Sequence, residues 1–461
     1  MKRFTKPWMP IILLCLAGCG GGGSSTVSSG GGQQGTGPGP NGLQGSAPSP
    51  RVLRWVDKPS GTVSPRGELV QGNVLMPHVS QLGEAVSFLS SATNLVPNDT
   101  NNGVDLFVYS RTSDTTTRVN ILDSGAQTPT NLVSYATDYD HFGFAFSSEN
   151  TDNSPFGAFL TVLNPQISAS VTGHRGLATS YQGGVACFET RAEGDPGGLI
   201  RIGISNGDGI AGSSDPSSSN SVTILNHANA DCLDPQLVGG YDQRLIFFYS
   251  TATNLVPNDT NGVGDIFCYG TRTNQVIRVT EGANGEQFNG ESLIGQDADY
   301  GRKYFFTSRA SNIVAGDTNG ATDVFLKDLT TGQVKLISRG RNGQPANGDS
   351  DSPSTNGGGD RIIFQSKASN LVPSDTNNRS DIFFCLPNLD VIAGRLSFAQ
   401  NGQEATGGTG LPSVCAMATY GDWVAFTSDA TNLLAGVPVG GTHLYLTSIH
   451  LQEGNQPYLP Q

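Results

Sequence analysis

After residue 50, the chain alternates short runs of β-branched and aromatic residues with turns rich in Gly, Asn, Asp and Pro. This pattern predicts short strands, and the lack of a long apolar stripe of period 3.6 predicts few helices. One string, Ala-Thr-Asn-Leu-Val-Pro-Asn-Asp-Thr-Asn, organises the rest of the chain. It lies within residues 86–118 and returns in close copies at residues 251–267, 309–325 and 367–383, with a damaged copy at residues 429–445.

Each copy belongs to a larger unit that predicts four short strands, and such repetition indicates an all-β propeller. In the last complete unit, the predicted strands are residues 353–355, 361–365, 381–385 and 393–397, with a tight turn at residues 357–360. A phenylalanine ends the second strand of each unit, which predicts seven four-stranded blades: Phe88, Phe146, Phe188, Phe248, Phe306, Phe364 and Phe426. Six blades is the alternative, if residues 173–221 are an insertion.

The last unit has a third strand near residues 443–448 but no fourth strand after it. An open ring would leave strand edges unpaired, which favours aggregation. In the neighbouring unit, a fourth strand lies before Phe364. The segment at residues 62–64 lies about as far before Phe88, so we expect an N-terminal strand there to complete the last blade. The apolar run at residues 52–56 is a candidate to pair beside that strand, but this argument does not assign it.

Several strings carry a resemblance to a known family. Asn-Leu-Val-Pro-x-Asp-Thr-Asn, Asp-Ile-Phe, Arg-Val-Thr and the turn Tyr300-Gly301-Arg302 resemble the TolB-like, WD-repeat-like β-propeller repeats of bacterial exported proteins. The resemblance implies a propeller on which partners dock at one face or at the central channel. TolB has six blades and an additional α/β domain, which this chain lacks, so membership of the Tol system is not implied.

The N-terminus has the features of a bacterial export signal. Lys2, Arg3 and Lys6 precede an apolar core at residues 11–16, which is too short to span a bilayer. The following Leu-Ala-Gly-Cys resembles a lipobox, which implies cleavage after residue 18 and lipid attachment at Cys19. An ordinary secretory signal with an incidental Cys is the alternative.

Residues 19–50 begin with that Cys and continue as a Gly, Ser, Gln and Pro segment with almost no apolar residues. Such a composition cannot bury a core and is typical of a flexible tether. Gly20 stands where Asp would mark retention in the inner membrane, so we expect the outer membrane, with the propeller at residues 51–461 held in the cell envelope.

The loop between the second and third strands is the strongest candidate for a metal site. It repeats Asp-x-Asn-x-x-x-Asp, a spacing at which oxygen ligands converge on a hard cation in the first half of calcium loops. The candidate ligands are Asp99, Asn101, Asp105, Asp259, Asn261, Asp265, Asp317, Asn319, Asp323, Asp375, Asn377 and Asp381. Two carboxylates per loop predict a weak site, with a Kd of roughly 10⁻⁴–10⁻³ M for Ca²⁺.

The alternative is that these Asp and Asn side chains only form turns and cap backbone amides. In the damaged copy the three positions become Val437, Val439 and His443 together. Joint replacement suits a shared ligand set, but a rebuilt loop would give the same result, so both interpretations stay open.

Catalytic motifs match only as strings. Residues 203–207 fit G-x-S-x-G and residues 207–212 fit G-x-G-x-x-G. The first motif requires a strand–turn–helix elbow and the second a βαβ unit, and neither context is predicted here. The six histidines show no metal-binding spacing, so no catalytic residue is assigned.

Five cysteines remain after the tether, which is an odd number: Cys187, Cys232, Cys268, Cys385 and Cys415. We expect mostly buried thiols, because several of them lie in predicted strand cores. A bridge between Cys385 and Cys415 on adjacent blades is left open.

The net charge of −13 disfavours nucleic acid as a partner, because an acidic protein repels phosphate. The sequence therefore predicts a monomeric, lipid-anchored propeller that binds an envelope protein or glycan without catalysis. The predicted binding face is the one that carries the loops between strands two and three. The alternative is a hydrolase or lyase of envelope polysaccharide, with its site at the channel mouth. A purely structural module is the third interpretation.

Overall fold

The computed structural model describes residues 52–59, 74–121, 132–137, 143–148, 157–162, 168–172, 174–179, 186–191, 199–205, 221–223, 228–238, 245–340, 342–373, 375–389, 391–409, 415–449, 451–452 and 456–457. The predicted export signal, Cys19, the tether and the strand at residues 62–64 lie outside this set.

The described strands form seven four-stranded antiparallel sheets and one small hairpin. In chain order, β1 is Leu53–Trp55, and sheet one is β2 (Val74–Val79), β3 (Ala85–Ser90), β4 (Asp105–Ser110) and β5 (Thr115–Arg118). Sheet two is β6 (Leu132–Thr137), β7 (Gly143–Ser148), β8 (Gly157–Val162) and β9 (Ser168–Thr172). Sheet three is β10 (His174–Thr179), β11 (Ala186–Arg191), β12 (Ile200–Ser205) and β13 (Ser221–Thr223).

Sheet four is β14 (Cys232–Val238), β15 (Leu245–Ser250), β16 (Asp265–Gly270) and β17 (Gln275–Arg278). Sheet five is β18 (Ser292–Ala298), β19 (Lys303–Ser308), β20 (Asp323–Asp328) and β21 (Val334–Leu336). Sheet six is β22 (Ser350–Thr355), β23 (Ile362–Ser366), β24 (Asp381–Leu386) and β25 (Val391–Arg395), with a 3₁₀ turn at Pro387–Leu389. Sheet seven is β26 (Cys415–Met417), β27 (Trp423–Ser428), β28 (His443–Ser448) and β1, and the hairpin is β29 (Leu451–Gln452) with β30 (Gln456–Pro457).

Most successive sheets meet through their first strands, and β26 of sheet seven contacts β2 of sheet one. Sheets one and two meet instead through β4 and β6, and sheets four and five through β16 and β18. Because neighbouring strands are antiparallel, the turns between strands one and two share one face with the turns between strands three and four. We call this the turn face. The opposite, loop face carries the loops between strands two and three.

Stacked aromatic pairs fill the core between sheets. In five sheets the phenylalanine of strand two packs against an aromatic ring of strand three, with ring centroids 5.5–6.0 Å apart. Four pairs are stacked, Phe88–Phe107, Phe248–Phe267, Phe306–Phe325 and Phe426–Tyr445, and Phe364–Phe383 is tilted by 30°. All ten side chains are fully buried. Such pairs contribute about 0.5–1.5 kcal/mol each beyond the area that they bury.

An N-terminal strand completes the last sheet, and it is Leu53–Trp55. It pairs with β28 in antiparallel register, with Trp55 opposite Tyr445. The Asp57 carboxylate fixes the end of this strand by accepting hydrogen bonds from the Leu444 backbone N–H at 2.9 Å and from Trp55 Nε1 at 2.7 Å. The closing strand therefore comes earlier in the chain than residues 62–64, because the apolar run at residues 52–56 supplies both the pairing edge and this cap.

Four of the five cysteines, Cys187, Cys232, Cys268 and Cys385, are buried thiols. Since Cys385 is one of them, the Cys385–Cys415 bridge is not formed. Among the described residues, no helix is long and apolar enough to span a membrane.

Candidate functional site: the Asp-Asn-Asp loops and the turn face

The Asn at the centre of each loop forms an Asx turn. Its Oδ1 accepts a backbone N–H two residues later, for example from Gly103 to Asn101 at 3.1 Å and from Ala321 to Asn319 at 2.9 Å. Its Nδ2 donates to the second Asp of the loop, at 2.6–3.1 Å in the four copies. The amide nitrogen of Asn, and not its oxygen, therefore faces the carboxylate.

The second Asp of each loop is fully buried at the start of strand three. A polar side chain that follows strand four donates to it: Asn120 to Asp105 at 2.5 Å, Thr280 to Asp265 at 2.6 Å, Ser338 to Asp323 at 2.6 Å and Ser397 to Asp381 at 2.5 Å. The oxygen of the same polar side chain also accepts the first backbone N–H after the Asp, as between Val324 and Ser338 at 2.9 Å. These contacts tie strand four to strand three.

In three loops an arginine from strand four lies between the two carboxylates. Its Nη1 is 3.0–3.2 Å from the first Asp and 3.3–3.8 Å from the second, in the sets Arg118–Asp99–Asp105, Arg278–Asp259–Asp265 and Arg395–Asp375–Asp381. In sheet six, Arg395 also contacts Glu404 at 2.7 Å. A guanidinium thus holds the position at which the sequence predicted a metal ion.

Sheet five has no such arginine. Each of the three arginines is paired across the strands with the phenylalanine of strand three, and in sheet five the residue paired with that phenylalanine, Phe325, is Leu336. Asp317 is only 7% exposed and makes no ion pair with any described residue. Burial raises the pKa of Asp317, and burial raises the pKa of Asp323 to about 6.

Sheet seven rebuilds the position with a histidine. His443 stands where the second Asp stands elsewhere, and its Nδ1 lies 3.5 Å from Asp57, which follows the closing strand. Burial lowers the pKa of His443, but hydrogen bonding and the charge of Asp57 outweigh this, so the pKa is raised overall. Sheet seven thus lacks the candidate ligands at the positions of Val437 and Val439. It also reverses the charged groups of the other sheets, since its basic side chain begins strand three and its carboxylate lies on the strand-four side.

The structure brings the two Asp of each loop together but not the three oxygens that the sequence predicted, since Asn offers its nitrogen. Within the described ranges, no group of three or more His, Cys, Asp or Glu side chains has a metal-binding arrangement. Calcium at these loops stays a prediction. Sequence reasoning missed the arginines, although the signal was present: Arg-Val-Asn, Arg-Val-Thr and Arg-Leu-Ser follow three loops, while Leu-Ile-Ser follows the fourth.

The catalytic strings lie in a poor setting for chemistry. Ser205 ends strand β12 and pairs with Ser221 of β13, so residues 203–205 belong to a regular sheet. Residues 206–212 lie outside the described set.

The turn face carries exposed aromatic side chains on a fixed backbone. Tyr300 is 83% exposed and Tyr420 53%, and both lie in turns between strands one and two. Leu82, in the equivalent turn of sheet one, is 56% exposed. Backbone hydrogen bonds join four successive turns: Asp299 N–H to Gly357 O at 2.8 Å, Gly357 N–H to Thr419 O at 2.9 Å, and Tyr420 N–H to Gln81 O at 3.3 Å. We call these linked turns the turn arc.

Side chains reinforce the turn arc on both sides of Tyr420. Gln81 Nε2 donates to the Tyr420 hydroxyl at 3.2 Å, and Arg361 Nη1 donates to the Tyr420 carbonyl at 2.8 Å. The Tyr420 side chain is therefore held at its hydroxyl and at its backbone carbonyl, while about half of its surface faces solvent.

Comparison with known proteins gives the fold alone. No protein-family model and no curated protein matches the sequence. An oligogalacturonate lyase in complex with manganese is 9% identical and is similar over 87% of this chain and 96% of its own, with a TM-score of 0.50. An oligogalacturonate lyase from Vibrio parahaemolyticus is 10% identical over 88% of this chain and 98% of its own, with a TM-score of 0.50.

TolB from Acinetobacter baumannii is 14% identical over 70% of this chain and 63% of its own, with a TM-score of 0.39. The seven four-stranded sheets and the similarity of fold to the two lyases agree: the chain is a β-propeller. Its repeated strings resemble TolB-like repeats.

Proposed function

We propose that this propeller is a lipid-anchored binding module of the cell envelope, which captures a protein or glycan partner on its turn face. The observation that carries the proposal is the turn arc, which presents Tyr300, Tyr420 and Leu82 to solvent on a hydrogen-bonded backbone. Tyrosine offers a large apolar ring and a hydroxyl at a low cost in side-chain entropy, which suits both protein interfaces and sugar rings.

The loop face, which the sequence favoured for binding, has less to offer a charged partner. In three sheets an arginine neutralises its buried carboxylates from within. These groups stabilise the fold and are not presented to a ligand. The loop face does expose Val439, at 72%, so it supplies a matched control surface for experiments.

The export signal supports the proposed location. The basic residues, short apolar core and lipobox-like string before Cys19 favour a lipid anchor at that Cys, and Gly20 favours the outer membrane. The flexible composition of residues 20–50 suits a tether between anchor and propeller. Labelling with a radioactive fatty acid should mark the wild-type chain and not Cys19→Ser.

The test of the binding proposal compares the two faces. The mature chain, immobilised through its tether, is incubated with envelope polysaccharides and solubilised envelope proteins of the source bacterium. Tyr300→Ala/Tyr420→Ala should reduce the retained partner at least about tenfold, since each aromatic anchor is worth about 1–2 kcal/mol. Val439→Ser, the control, should retain the partner. Equal retention by both variants would reject the turn face, and loss with Val439→Ser alone would move the site to the loop face.

The second candidate function is polysaccharide cleavage by a lyase. It is favoured by the similarity of fold to two oligogalacturonate lyases over nearly their full length. Lyase cleavage leaves a carbon–carbon double bond in the product, which absorbs ultraviolet light. Incubation with oligogalacturonate and manganese should give no such absorbance if the protein only binds. A rise proportional to enzyme concentration would establish the lyase instead.

A further inference from the structure

We propose that the closing strand β1 is a pH-dependent latch, held on β28 by a buried ion pair between Asp57 and protonated His443. In sheets one to six the fourth strand follows the third in the chain, but sheet seven takes its outer strand from the N-terminus. This strand pairs with β28 over three cross-strand positions and lies at the edge of its sheet. The inference concerns the closure of the ring and does not rest on the proposed binding function.

The ion pair is buried at the point where the two ends of the chain meet. The side chains of His443 and Asp57 are fully buried, and Nδ1 of the first lies 3.5 Å from Oδ2 of the second. Asp57 Oδ1 is already used, since it accepts hydrogen bonds from the Leu444 backbone N–H and Trp55 Nε1. Among the described residues, no other group offers a hydrogen bond to His443 Nδ1 or to Asp57 Oδ2. Each of these two atoms therefore depends on the other.

Both ring nitrogens of His443 face oxygen atoms that accept hydrogen bonds. Nε2 lies 3.2 Å from the carbonyl oxygen of Pro438, and Nδ1 faces the carboxylate of Asp57. A neutral imidazole has one N–H and one lone pair, so it would turn the lone pair towards one of these oxygens. The imidazolium has two N–H donors and satisfies both contacts. The geometry of the closed ring therefore requires a proton on each nitrogen.

The cation of this closure can lose its charge, unlike those of the sister sheets. Arg118, Arg278 and Arg395, which neutralise the buried carboxylates of sheets one, four and six, stay charged at any physiological pH. Histidine releases its proton near neutral pH. A change of pH therefore acts on the pair that holds β1 and leaves the three arginine pairs intact.

The pKa of His443 sets the direction of the change. Burial lowers this pKa, but hydrogen bonding and the charge of Asp57 outweigh burial, so the pKa is raised overall. A group whose pKa is raised by folding stabilises the folded state fully below its unfolded pKa, about 6.5 for histidine. The stabilisation is lost as the pH rises through the folded pKa. The latch therefore holds most tightly below about pH 6.5 and loosens above it.

The other groups that face His443 do not titrate in this range. Ser428 pairs with it from β27 and carries no charge. Tyr445, two residues further along β28, is buried, and burial raises the pKa of its hydroxyl further above the ordinary value. Trp55 contributes an aromatic ring at a centroid distance of 5.6 Å, and Pro438 contributes a carbonyl. The pH dependence of the latch is therefore that of His443.

Hydrogen exchange of the mature chain tests the latch. The Val56 amide donates to the Leu444 carbonyl at 2.8 Å, so its protection reports whether β1 is paired. After correction for the intrinsic pH dependence of exchange, this protection should fall about tenfold between pH 6 and pH 9, because a charge-assisted hydrogen bond is lost. Amides of β16 should keep their protection, since Arg278 stays charged. His443→Gln should give low protection of Val56 at both pH values.

Two results would overturn the proposal: equal protection of Val56 at pH 6 and pH 9 in the wild-type chain, or the same tenfold fall in His443→Gln. If His443→Gln does not fold by circular dichroism, Asp57→Asn replaces it, because the amide has nearly the same shape and lacks the charge. A folded Asp57→Asn variant that keeps the pH dependence of the wild type would equally refute the latch. So would an NMR titration that places the pKa of His443 at or below about 6.5.

Discussion

Replacing Arg395 with Leu would copy into sheet six the side chain that sheet five has naturally. Arg395 contacts Asp375 at 3.2 Å, Asp381 at 3.3 Å and Glu404 at 2.7 Å. The side chains of Asp375 and Asp381 are 4% and 0% exposed, so neither can turn to solvent when the guanidinium is removed. Glu404 is 25% exposed and can be rehydrated more easily.

The expected loss follows from these exposures. Removing one partner of a buried ion pair costs about 3–5 kcal/mol, because the other charge stays buried without compensation. Two buried carboxylates remain here, which increases the loss, but one of them can take up a proton, which reduces it. We therefore expect the lower end of that range, a loss of about 3 kcal/mol at pH 7.5. Arg302→Leu is the control, since Arg302 is 51% exposed and its contact with Asp299 is 3.7 Å long. That change should cost less than about 0.5 kcal/mol.

The loss should shrink as the pH falls. Burial and the neighbouring Asp381 already raise the pKa of Asp375 to about 6, and removing Arg395 raises it further. The folded variant then holds more protons than the unfolded chain above pH 4, so its stability increases from pH 7.5 to pH 5. Glu404 acts in the opposite direction: its pKa is lowered to about 2, so its contribution to the wild type is lost only as the pH falls from about 4.5 through 2.

Urea unfolding followed by tryptophan fluorescence measures these free energies, with unchanged m-values as the check that two-state unfolding is preserved. A loss below about 1 kcal/mol, or one that is the same at pH 7.5 and pH 5, would refute the assignment of Arg395 as the buried counter-ion.

Three further changes test the fold. Asp57→Ala removes the acceptor for Leu444 and Trp55 Nε1, so it should cost about 2–3 kcal/mol in urea unfolding; a neutral result would contradict the cap. Burial raises the pKa of Asp297 to about 7, so at pH 8 the folded wild type carries a buried charge that an amide would not. Asp297→Asn should therefore stabilise the protein at pH 8 and not at pH 4. Gly83→Ala should lower stability more than Gly262→Ala: both residues have positive φ, but a Cβ at Gly83 would lie 2.3 Å from Trp423, while Gly262 has open space around it. Equal losses, each of about 1 kcal/mol, would show that backbone strain alone matters.

The repeated hydrophobic pattern was sufficient to predict the strands, because each unit confirms the others. In sheet six the predicted strand at residues 361–365 is found at Ile362–Ser366, and that at residues 381–385 at Asp381–Leu386. The first strand was predicted too short, at residues 353–355 instead of Ser350–Thr355. A register shift between Asp351 and Ser354 interrupts this strand. Such a bulge disrupts the alternation of buried and exposed side chains by which a strand is recognised in a sequence.

The interpretation of the Asp loops could not be completed from their own sequence. A spacing of oxygen ligands does not show whether the positive charge between them is a metal ion or a side chain from a different strand. Arg118 lies far from Asp99 in the chain, and only the pairing of strands three and four brings them to 3.0 Å. The closing strand was misplaced for a similar reason, since a count of residues back from Phe88 does not reveal the capping role of Asp57.

The pairing of β1 with β28 also sets an order of events in time. Asp57 and Leu444, which are hydrogen-bonded to each other, are separated by 387 positions along the chain. When the chain emerges from its amino end, β1 appears before every other strand of the ring and its partner β28 after all of them. The intermediate sheets can form from local contacts during this interval, but the ring stays open at one edge. The pairing of β1 with β28 is therefore the event that closes the ring.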